Sequence, residues 1–338
     1  MNINVFNPYP WHLNTFIEQS ASIARLPHAA LIQGAPGIGK SHFALAFAAL
    51  LLCEARPERG PACGRCPACG WFAAGNHPDF RALNRIIDDD GKQAGEIKVD
   101  QIRALSEFLV VGAHRGGRRV VVIDPADAMN TVVANALLKT REEPSEGLIF
   151  LLVSSRPDAI AATIRSRCQR WPLPTPDPLV AVDWMVSTTG CPADQARGWL
   201  AMAGGSILQA AQFAEPARAA AHRSMLEAIA RLPDTAPVEL ADALQSYEPR
   251  QWLPLLQRWV IDIARSGQGA EPRYFPQLAG RLSELAARSN PSRLDEASRA
   301  LAAQYRHVGH PLNPRMVCEA SLECVAAAVS PVAAGKSR

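Results

Sequence analysis

Residues 34–41, Gly-Ala-Pro-Gly-Ile-Gly-Lys-Ser, have the residue types and the spacing of a phosphate-binding loop. Glycines let such a loop curl until backbone N–H groups point at phosphate oxygens, and the helix that follows adds partial positive charge. Lys40 would reach the β- and γ-phosphates of ATP, and the Ser41 hydroxyl would bind the accompanying Mg²⁺. The alternative is a turn that binds nothing. We favour binding, because a strand is predicted before the motif and a helix after it, and the predicted contacts are Gly34, Pro36, Gly37, Gly39, Lys40 and Ser41.

A second ligand for Mg²⁺ is expected from an acidic residue at the end of a buried strand. Asp124 ends the apolar run Arg-Val-Val-Val-Ile-Asp at 119–124 and is the candidate, with helix capping as its alternative role. The next residue is Pro125, which can neither accept a proton nor orient a water molecule. The sequence therefore predicts that the site lacks a general base at this position.

Four of the eight cysteines lie close together and contain two overlapping CxxC steps: Cys53, Cys63, Cys66 and Cys69. Two thiolates at that spacing can bind one tetrahedral Zn²⁺, and four ligands leave no position for water. We therefore predict a structural zinc ion, with a redox pair as the alternative. His77 could replace one cysteine, but in Asn-His-Pro-Asp-Phe it is interpreted as a turn residue. The remaining cysteines have no metal spacing and are predicted to be buried thiols: Cys168, Cys191, Cys318 and Cys324.

The elements that must position these residues alternate between strand and helix over roughly the first 170 residues, which predicts an α/β fold with a doubly wound parallel sheet. The predicted strands are 29–32, 119–124 and 148–155, and the predicted helices are 43–52 and 127–143. The polar segment 88–96 is predicted to be a mobile loop. The segment 171–180 carries four prolines and is interpreted as a linker between domains.

Beyond the linker the sequence is rich in alanine and leucine, and its apolar residues have helical spacing. Trp252, Leu255, Leu256, Trp259 and Ile263 fall on one helical face, and a second stripe runs through Leu294, Ala297 and Leu301. These stripes are predicted to form a bundle core, with a subunit interface as the alternative.

The net charge of +3 and the 48% of hydrophobic residues fit an ordinary globular protein, and neither value by itself indicates nucleic acid. The chain has no uncharged apolar run long enough to span a bilayer and no leader-like start, so no membrane association and a cytoplasmic location are expected. The run His-Arg-Gly-Gly-Arg-Arg at 114–119 is interpreted as a solvated turn that enters a strand, with contacts to DNA phosphates as the alternative.

Several phrases of the sequence, in order, resemble the ATPase domain of bacterial clamp-loader subunits, which belong to the AAA+ class. The resemblance is dense over about the first 170 residues, and residues 312–322 are similar to the family's last helix. The phrases are 28–41, the cysteine loop 53–69, 77–80, 99–105, 120–130, 134–144 and 163–169.

Two branches of the clamp-loader family share most of these motifs, the gamma/tau motor and the delta-prime subunit. The resemblance implies that a motor carries Asp-Glu in its second motif and a nucleotide-sensing arginine in a Gly-Ser-x-Arg phrase. Here Pro125 follows Asp124, and Leu208 ends the corresponding phrase Gly-Ser-Ile-Leu at 205–208. The sequence is therefore identified as a member of the delta-prime branch, for which a chain without a long extension is also expected. Because its phosphate loop is intact, ATP is expected to bind and to turn over slowly or never.

Ser166, Arg167 and Cys168 resemble the family's Ser-Arg-Cys motif. In clamp loaders this arginine projects into the nucleotide site of the neighbouring subunit, where a guanidinium stabilises charge on the transferring phosphoryl group. The resemblance thus implies a catalytic role in trans for Arg167, with a surface salt bridge as the alternative. Ser154 and Ser155 fall where the family places its first sensor, and Ser155 is taken as the nucleotide contact, with a helix cap as the alternative.

The resemblance implies an AAA+ domain at 1–170 with the zinc loop at 53–69, a helical lid at 171–213, a helical collar domain at 214–330 and a tail at 331–338. It implies the gamma/tau and delta subunits as partners, and action on the sliding clamp and primed DNA through the assembly, at the nucleoid-associated replisome. Two other functions stay open: an ATP-hydrolysing motor of the gamma/tau type, and a zinc-dependent DNA-binding module with a vestigial phosphate loop.

Overall fold

A computed structural model describes residues 4–86, 94–105, 108–109, 113–114, 117–130, 147–307 and 313–330. The chain divides into two compact units, residues 1–177 and residues 178–338. We call them the first unit and the helical unit. Among the described residues, every helix is too short or too polar to cross a bilayer.

The first unit is built on a parallel five-stranded sheet in the order β2-β3-β4-β1-β5, which confirms the predicted α/β class. Its strands are β1 (Ala29–Gln33), β2 (Phe80–Asn84), β3 (Arg119–Asp124), β4 (Leu148–Ser154) and β5 (Gln169–Pro172). The three central strands β3, β4 and β1 are almost wholly buried, because apolar clusters cover both faces of the sheet.

The described helices of this unit are α1 (Leu13–Ala21), α2 (Lys40–Leu52), α3 (Pro67–Ala73), α4 (Val99–Ala104) and α5 (Ala162–Arg165). Helix α2 follows β1 through the phosphate loop and is buried almost all round, so its sequence is apolar without an amphipathic pattern. Phe47 of α2 packs edge-on against Trp171 of β5, with the ring centroids 4.8 Å apart. This contact holds the edge strand against the helix that carries the phosphate loop.

Two strands of the first unit were not predicted, and two predicted segments lie mostly outside the described residues. Strand β2 was not predicted, because Arg81 and Ala82 are exposed on this edge strand and interrupt the apolar run. Strand β5 was not predicted either, because its proline-bearing sequence is typical of a linker. The predicted helix 127–143 lies mostly outside the described residues, and its first two residues belong to a 3₁₀ turn at Ala126–Ala128. Most of the predicted loop 88–96 also lies outside them.

In the described part of the run at 114–119, the two arginines pack inward, whereas His114 and Gly117 are exposed. Arg119 is 1% exposed, and its Nη1 donates to the carbonyl of Phe108. Arg118 Nη2 donates to the carbonyl of Ile23 at 2.9 Å. The interpretation as a solvated turn is therefore wrong for these two arginines, whose guanidinium groups serve the packing of the first unit.

The helical unit contains nine helices among its described residues. They are α6 (Pro178–Thr189), α7 (Ala193–Met202), α8 (Ile207–Gln212), α9 (Pro216–Ala230), α10 (Pro237–Leu244), α11 (Pro249–Gly267), α12 (Ala279–Arg288), α13 (Pro291–His307) and α14 (Pro314–Val329). Both predicted stripes lie in one buried apolar cluster of this unit, which confirms the core interpretation. Of the other cysteines, Cys191 and Cys318 are buried as predicted, whereas Cys168 and Cys324 are only half-buried.

A buried carboxylate fixes the segment that follows α11. Asp262 has no exposed surface, and its two oxygens accept the backbone N–H groups of Arg273, Tyr274 and Phe275, each at 2.8 Å. Phe275 is itself fully buried and packs against Trp259, so the carboxylate holds an apolar anchor in the core. Removing the carboxylate would leave three N–H groups without these acceptors.

We expect Asp262→Ala to lower the free energy of unfolding of the helical unit by roughly 3 kcal/mol or more, because buried donors lose their charged acceptor. Denaturant unfolding followed by tryptophan fluorescence measures the change, since Trp252 and Trp259 lie in this core. The matched control is Asp194→Ala, which removes an exposed carboxylate paired with Arg197 three residues away. This control should change the free energy by about 0.5 kcal/mol or less. Equal effects of the two variants would contradict the assignment.

Candidate functional site

The phosphate loop joins β1 to α2 and adopts a backbone that requires glycine. Gly37 has φ 69° and Gly39 has φ 97°, in the left-handed region that L-residues with a side chain rarely adopt. A Cβ atom on Gly39 would also lie 2.4 Å from Cδ2 of Tyr9. The two glycines therefore serve both the turn and the close packing of Tyr9 on the loop.

Lys40 begins α2 and is 6% exposed. Its Nζ donates to the carbonyl of Ala35, at 2.6 Å within the same loop. Burial lowers the pKa of Lys40, and the charges of Asp124 and Asp127 act in the opposite direction. The lysine thus lies within electrostatic range of two carboxylates at the carboxyl edge of the sheet.

Ser41 and Asp124 come together as the magnesium prediction requires. The Ser41 side chain lies near enough to the Asp124 carboxylate, at the point where β3 ends, to lower the pKa of that carboxyl group. Burial raises the pKa of Asp124, while the Ser41 hydrogen bond and the charge of Lys40 lower it. A hydroxyl beside a carboxylate, next to a lysine on a glycine loop, has the donor set for Mg²⁺ and a triphosphate.

A second acidic residue, Asp127, lies at this edge and was not predicted as a site residue from the sequence. Its Oδ1 accepts from the Ser154 hydroxyl at 2.7 Å, and its Oδ2 accepts from Nε and Nη2 of Arg156 at 3.1 and 2.8 Å. The Asp127 side chain is 5% exposed. Its spacing of three residues from Asp124 is a signal only if a 3₁₀ turn follows β3, which the sequence did not indicate.

The structure distinguishes between the two serines at the end of β4. Ser154 is 1% exposed, and its hydroxyl is bonded to Asp127, whereas Ser155 is exposed. Of the two, Ser154 lies beside the acidic residues of the candidate nucleotide site. The assignment of Ser155 as a nucleotide contact stays a prediction.

Aromatic residues of the N-terminal segment pack on the phosphate loop. Tyr9 stacks on Trp11 with ring centroids 4.7 Å apart and an interplanar angle of 6°. Trp11 Nε1 donates to the carbonyl of Ile38 at 2.8 Å, and His42 Nε2 lies 2.6 Å from the carbonyl oxygen of Asn7. Sequence patterns gave no signal for these contacts, because they join segments more than 25 residues apart.

The four clustered cysteines converge at the end of α2 that is opposite the phosphate loop. Their four Sγ atoms all lie within 4.8 Å of one another. Cys53 and Cys66 are 4.0 Å apart, and Cys63 and Cys69 are 3.9 Å apart, between the Sγ atoms. A tetrahedral ion with Zn–S bonds of about 2.3 Å requires sulfur separations of roughly 3.8 Å. The cluster therefore fits a single tetrahedral metal ion.

Backbone N–H groups surround these sulfur atoms. The amides of Cys63, Cys66 and Cys69 point at the sulfur atoms of Cys53, Cys63 and Cys66, at 3.4, 3.4 and 3.5 Å respectively. Burial raises the pKa of Cys53 and of Cys69. Burial also acts to raise the pKa of Cys66, but backbone N–H groups outweigh it and hold that pKa at about 6. Amides directed at sulfur favour the thiolate, which is the form that binds a metal.

His77 is buried outside the metal cluster. Its Nδ1 accepts the backbone N–H of Asp79 at 3.1 Å, as the interpretation of a turn residue requires. Asp79 in turn accepts the backbone N–H of His114 at 2.9 Å. The alternative in which His77 replaces a cysteine finds no support in this geometry.

Arg167 follows α5 on the exposed surface of the first unit. Its Nη1 donates to the carbonyl of Thr163 at 2.9 Å, so the guanidinium lies along the helix that precedes it. In the helical unit, Leu208 is half-buried on α8, where Ser206 precedes the helix. An apolar side chain at position 208 cannot pair with a phosphate.

The first unit and part of the helical unit are similar in sequence to known proteins. The family model described as DNA polymerase III, delta subunit matches residues 12–177. A relative from Pseudomonas aeruginosa, named DNA polymerase III subunit delta', is 37% identical over 75% of this chain and 75% of its own length.

Two further relatives show where the likeness extends and where it stops. The protein of the same name from Escherichia coli is 32% identical over 85% of each chain. The tau subunit of DNA polymerase III from Escherichia coli is 34% identical, but over 48% of this chain and 24% of its own length. The delta' relatives therefore match both units, whereas the tau match covers about half of the chain. This chain thus belongs to the delta' family of DNA polymerase III clamp-loader subunits.

Proposed function

We propose that this clamp-loader subunit holds Mg-ATP at residues 34–41 without hydrolysing it, and contributes Arg167 to the ATP site of a neighbouring subunit. The observation that carries the proposal is the carboxyl edge of the sheet. There, groups that bind a triphosphate are assembled, while groups that could activate water are absent or occupied among the described residues.

The binding half of the proposal rests on Lys40, Ser41 and Asp124. The lysine is bonded within the loop, and the Ser41 side chain lies near the Asp124 carboxylate, the pair of oxygen donors that a Mg²⁺ site would use. Lys40 is held by a neutral backbone carbonyl, an interaction that a charged phosphate can replace with a stronger one. Mg²⁺ and ATP are therefore the ligands that this donor set suits.

The absence of hydrolysis rests on Pro125 and Asp127. Pro125 stands directly after Asp124, where a carboxylate would have to receive a proton from water. Asp127 is the next carboxylate along the chain, but both of its oxygens accept hydrogen bonds from Ser154 and Arg156. The donors of Ser154 and Arg156 therefore occupy the oxygens that a water molecule would need for activation.

The contribution of Arg167 rests on its exposure and its place. The Arg167 side chain is exposed, two residues after the short helix α5, and Ile164 of that helix is buried. A guanidinium presented in this way can enter a phosphate site of another chain, where it would stabilise charge in the transition state. We infer that Arg167 is the catalytic residue that this chain lends.

For the cysteine cluster we propose a structural Zn²⁺ bound by Cys53, Cys63, Cys66 and Cys69. The ion would pin residues 53–69, which have only one short helix of their own, to the end of α2. Four sulfur ligands close the coordination shell, so the ion would supply stability and no reaction.

The partners proposed are the gamma/tau and delta subunits, with the sliding clamp and primed DNA reached through the assembly. The delta' name of the relatives supports membership of that complex, and the tau match is consistent with a common AAA+ ancestor. We propose a cytoplasmic location at the replisome, where these partners act. The division into domains at 1–170, 171–213 and 214–330 is kept as part of this proposal.

We expect the isolated chain to bind ATP in the presence of Mg²⁺ and to show no turnover above background, because water lacks a base. Equilibrium dialysis measures binding, and release of labelled phosphate measures hydrolysis. Lys40→Ala should abolish binding, and Arg103→Ala, a change of an exposed arginine on α4, is the control that should bind normally. Turnover that Lys40→Ala removes would establish a motor and refute this half of the proposal.

In a complex reconstituted with gamma/tau and delta subunits, we expect Arg167→Ala to leave assembly intact. DNA-stimulated ATPase should fall by roughly tenfold or more, since an arginine finger contributes several orders of magnitude at one site. Arg167→Lys should remain impaired, because a lysine keeps the charge but loses the planar fork. Steady-state ATP hydrolysis is the measurement, with Arg103→Ala again as control, and unchanged hydrolysis by Arg167→Ala would refute the role in trans.

The purified chain should contain about one zinc ion, measured by elemental analysis, because four sulfur ligands close one tetrahedral site. Cys69→Ser should lose the metal and lower the thermal stability of the first unit. The matched control is Cys168→Ser, which changes a half-buried thiol of the same unit outside the cluster and should keep the metal. Absence of zinc from the purified wild-type chain, together with a thermal stability that neither variant changes, would contradict the zinc site.

A further inference from the structure

Asp127 closes a ring of hydrogen bonds between the ends of β3 and β4. Its Oδ1 accepts from Ser154 Oγ at 2.7 Å, and its Oδ2 accepts from Arg156 Nη2 at 2.8 Å. The backbone N–H of Arg156 donates to Ser154 Oγ at 2.9 Å and completes the ring. The three residues therefore form one hydrogen-bonded unit, which we call the Asp127 latch.

The latch lies within reach of charge at the phosphate loop. The charges of Asp124 and Asp127 both act to raise the pKa of Lys40, and the charge of Asp127 acts to raise the pKa of Asp124. A triphosphate bound to Lys40 would add negative charge next to a buried carboxylate, and like charges in a poorly hydrated site repel strongly. Nucleotide binding would thus change the free energy of the latch.

Ser154 allows only one of two arrangements. A serine hydroxyl has a single O–H donor, and in this structure that donor is directed at Asp127. If the hydroxyl turns to a phosphate oxygen, Asp127 loses the bond from Ser154 and keeps only the bonds from Arg156. The single O–H of Ser154 can therefore be donated to the carboxylate or to a nucleotide, but not to both at once.

A continuous chain of contacts leads from the latch toward Arg167. Arg156 precedes the 3₁₀ turn Pro157–Ala159, and its carbonyl accepts the N–H of Ala159 at 2.9 Å. The carbonyl of Pro157 and the carboxylate of Asp158 accept from Arg165 Nη1, at 3.3 and 2.6 Å. Arg165 is the last residue of α5, so these hydrogen bonds join the segment after Arg156 to that helix.

Arg167 is held by the same helix. Its backbone N–H donates to the carbonyl of Ile164 at 3.0 Å, and its Nη1 donates to the carbonyl of Thr163. A displacement of α5 would therefore change the direction in which the guanidinium points. Ile160 and Ile164 are buried and anchor this segment, so it can respond as one piece.

We propose that Asp127 is a positioning residue that couples nucleotide at this chain's own phosphate loop to Arg167, through Ser154, Arg156 and residues 157–165. This inference rests on the proposed function, since it requires ATP at residues 34–41 and a role in trans for Arg167. In the arrangement described here Arg167 is turned to its own helix. Nucleotide at the loop favours the arrangement that releases it toward the neighbour.

The Asp127 latch could also serve only as a structural brace, which joins β3 to β4 through the same hydrogen bonds and transmits nothing. A double-mutant cycle distinguishes this structural role from the proposed coupling. Lys40→Ala removes nucleotide from this chain, and Asp127→Asn keeps an acceptor for Ser154 but loses the charge that pairs with Arg156. If the latch transmits occupancy, the two changes act on one pathway and are not additive. If it is a brace, their effects multiply independently.

The cycle is measured as DNA-stimulated ATP turnover of the reconstituted complex with gamma/tau and delta subunits, after assembly is verified by gel filtration. We expect Lys40→Ala to lower the turnover number about tenfold with Asp127 intact, within the range of allosteric couplings. With Asp127→Asn present, Lys40→Ala should lower it less than about twofold. The KM for ATP of the neighbouring site should stay the same in both cases.

Equal effects of Lys40→Ala in the two backgrounds, or no effect in either, would overturn the coupling. Arg167→Ala is run beside them, because unchanged turnover in that variant would refute the proposed function itself. Loss with Arg167→Ala together with additive effects in the cycle would refute only the present inference. Arg156→Gln repeats the cycle at a side chain that is 66% exposed, so a folding defect of Asp127→Asn cannot decide the outcome.

A second readout needs no partner subunits. We expect Mg-ATP to change amide hydrogen exchange at 157–167 in the isolated wild-type chain, and to leave exchange there unchanged in Asp127→Asn. Protection of residues 34–41 by Mg-ATP in both proteins shows that nucleotide is bound in each. A response at 157–167 that persists in Asp127→Asn would overturn the inference.

Discussion

The parallel pairing of β1, β3 and β4 is the constraint on which the candidate nucleotide site depends. Gln33 of β1 is paired with Ser154 of β4, and Ile123 of β3 is paired with Leu152. The carboxyl ends of the three strands therefore meet at one edge, where the phosphate loop also begins. A slip of one residue in either pairing would turn Asp124 or Ser154 to the other face of the sheet. The buried, almost continuous apolar sequences of these strands hold the register.

Helix α2 carries a different chemistry at each end. The phosphate loop leads into its first residue, Lys40, and the first metal-binding candidate, Cys53, directly follows its last turn. Between them the helix is buried nearly all round, so it is rigidly held between the sheet and its covering elements. A rigid element is suited to a site in which charged groups lose water, since their positions must be fixed by packing before a ligand arrives. The same helix thus positions the candidate nucleotide site at one end and the cysteine loop at the other.

Local patterns accounted for most of the fold and for the groups that would bind nucleotide. Three features could be recognised because each is a pattern of residue types at short spacing. They are the loop at 34–41, the CxxC steps and the apolar stripes of the helical unit. The strands β1, β3 and β4 were predicted because burial on both faces demands continuous apolar residues. Strand β5 escaped this reasoning, because its edge position tolerates proline and exposed side chains while only Trp171 is buried.

By itself the sequence determined which groups this protein has: a lysine and a hydroxyl on a glycine loop, a carboxylate without a following base, four thiols with metal-binding spacing and an arginine in a Ser-Arg-Cys phrase. Only the tertiary structure decided which of them meet. The partnership of Asp127 with Ser154 and Arg156 joins elements that are 27 and 29 residues apart, and no periodicity connects them. Such contacts arise from the pairing of strands and the packing of their ends, which are properties of the whole unit and not of any short segment.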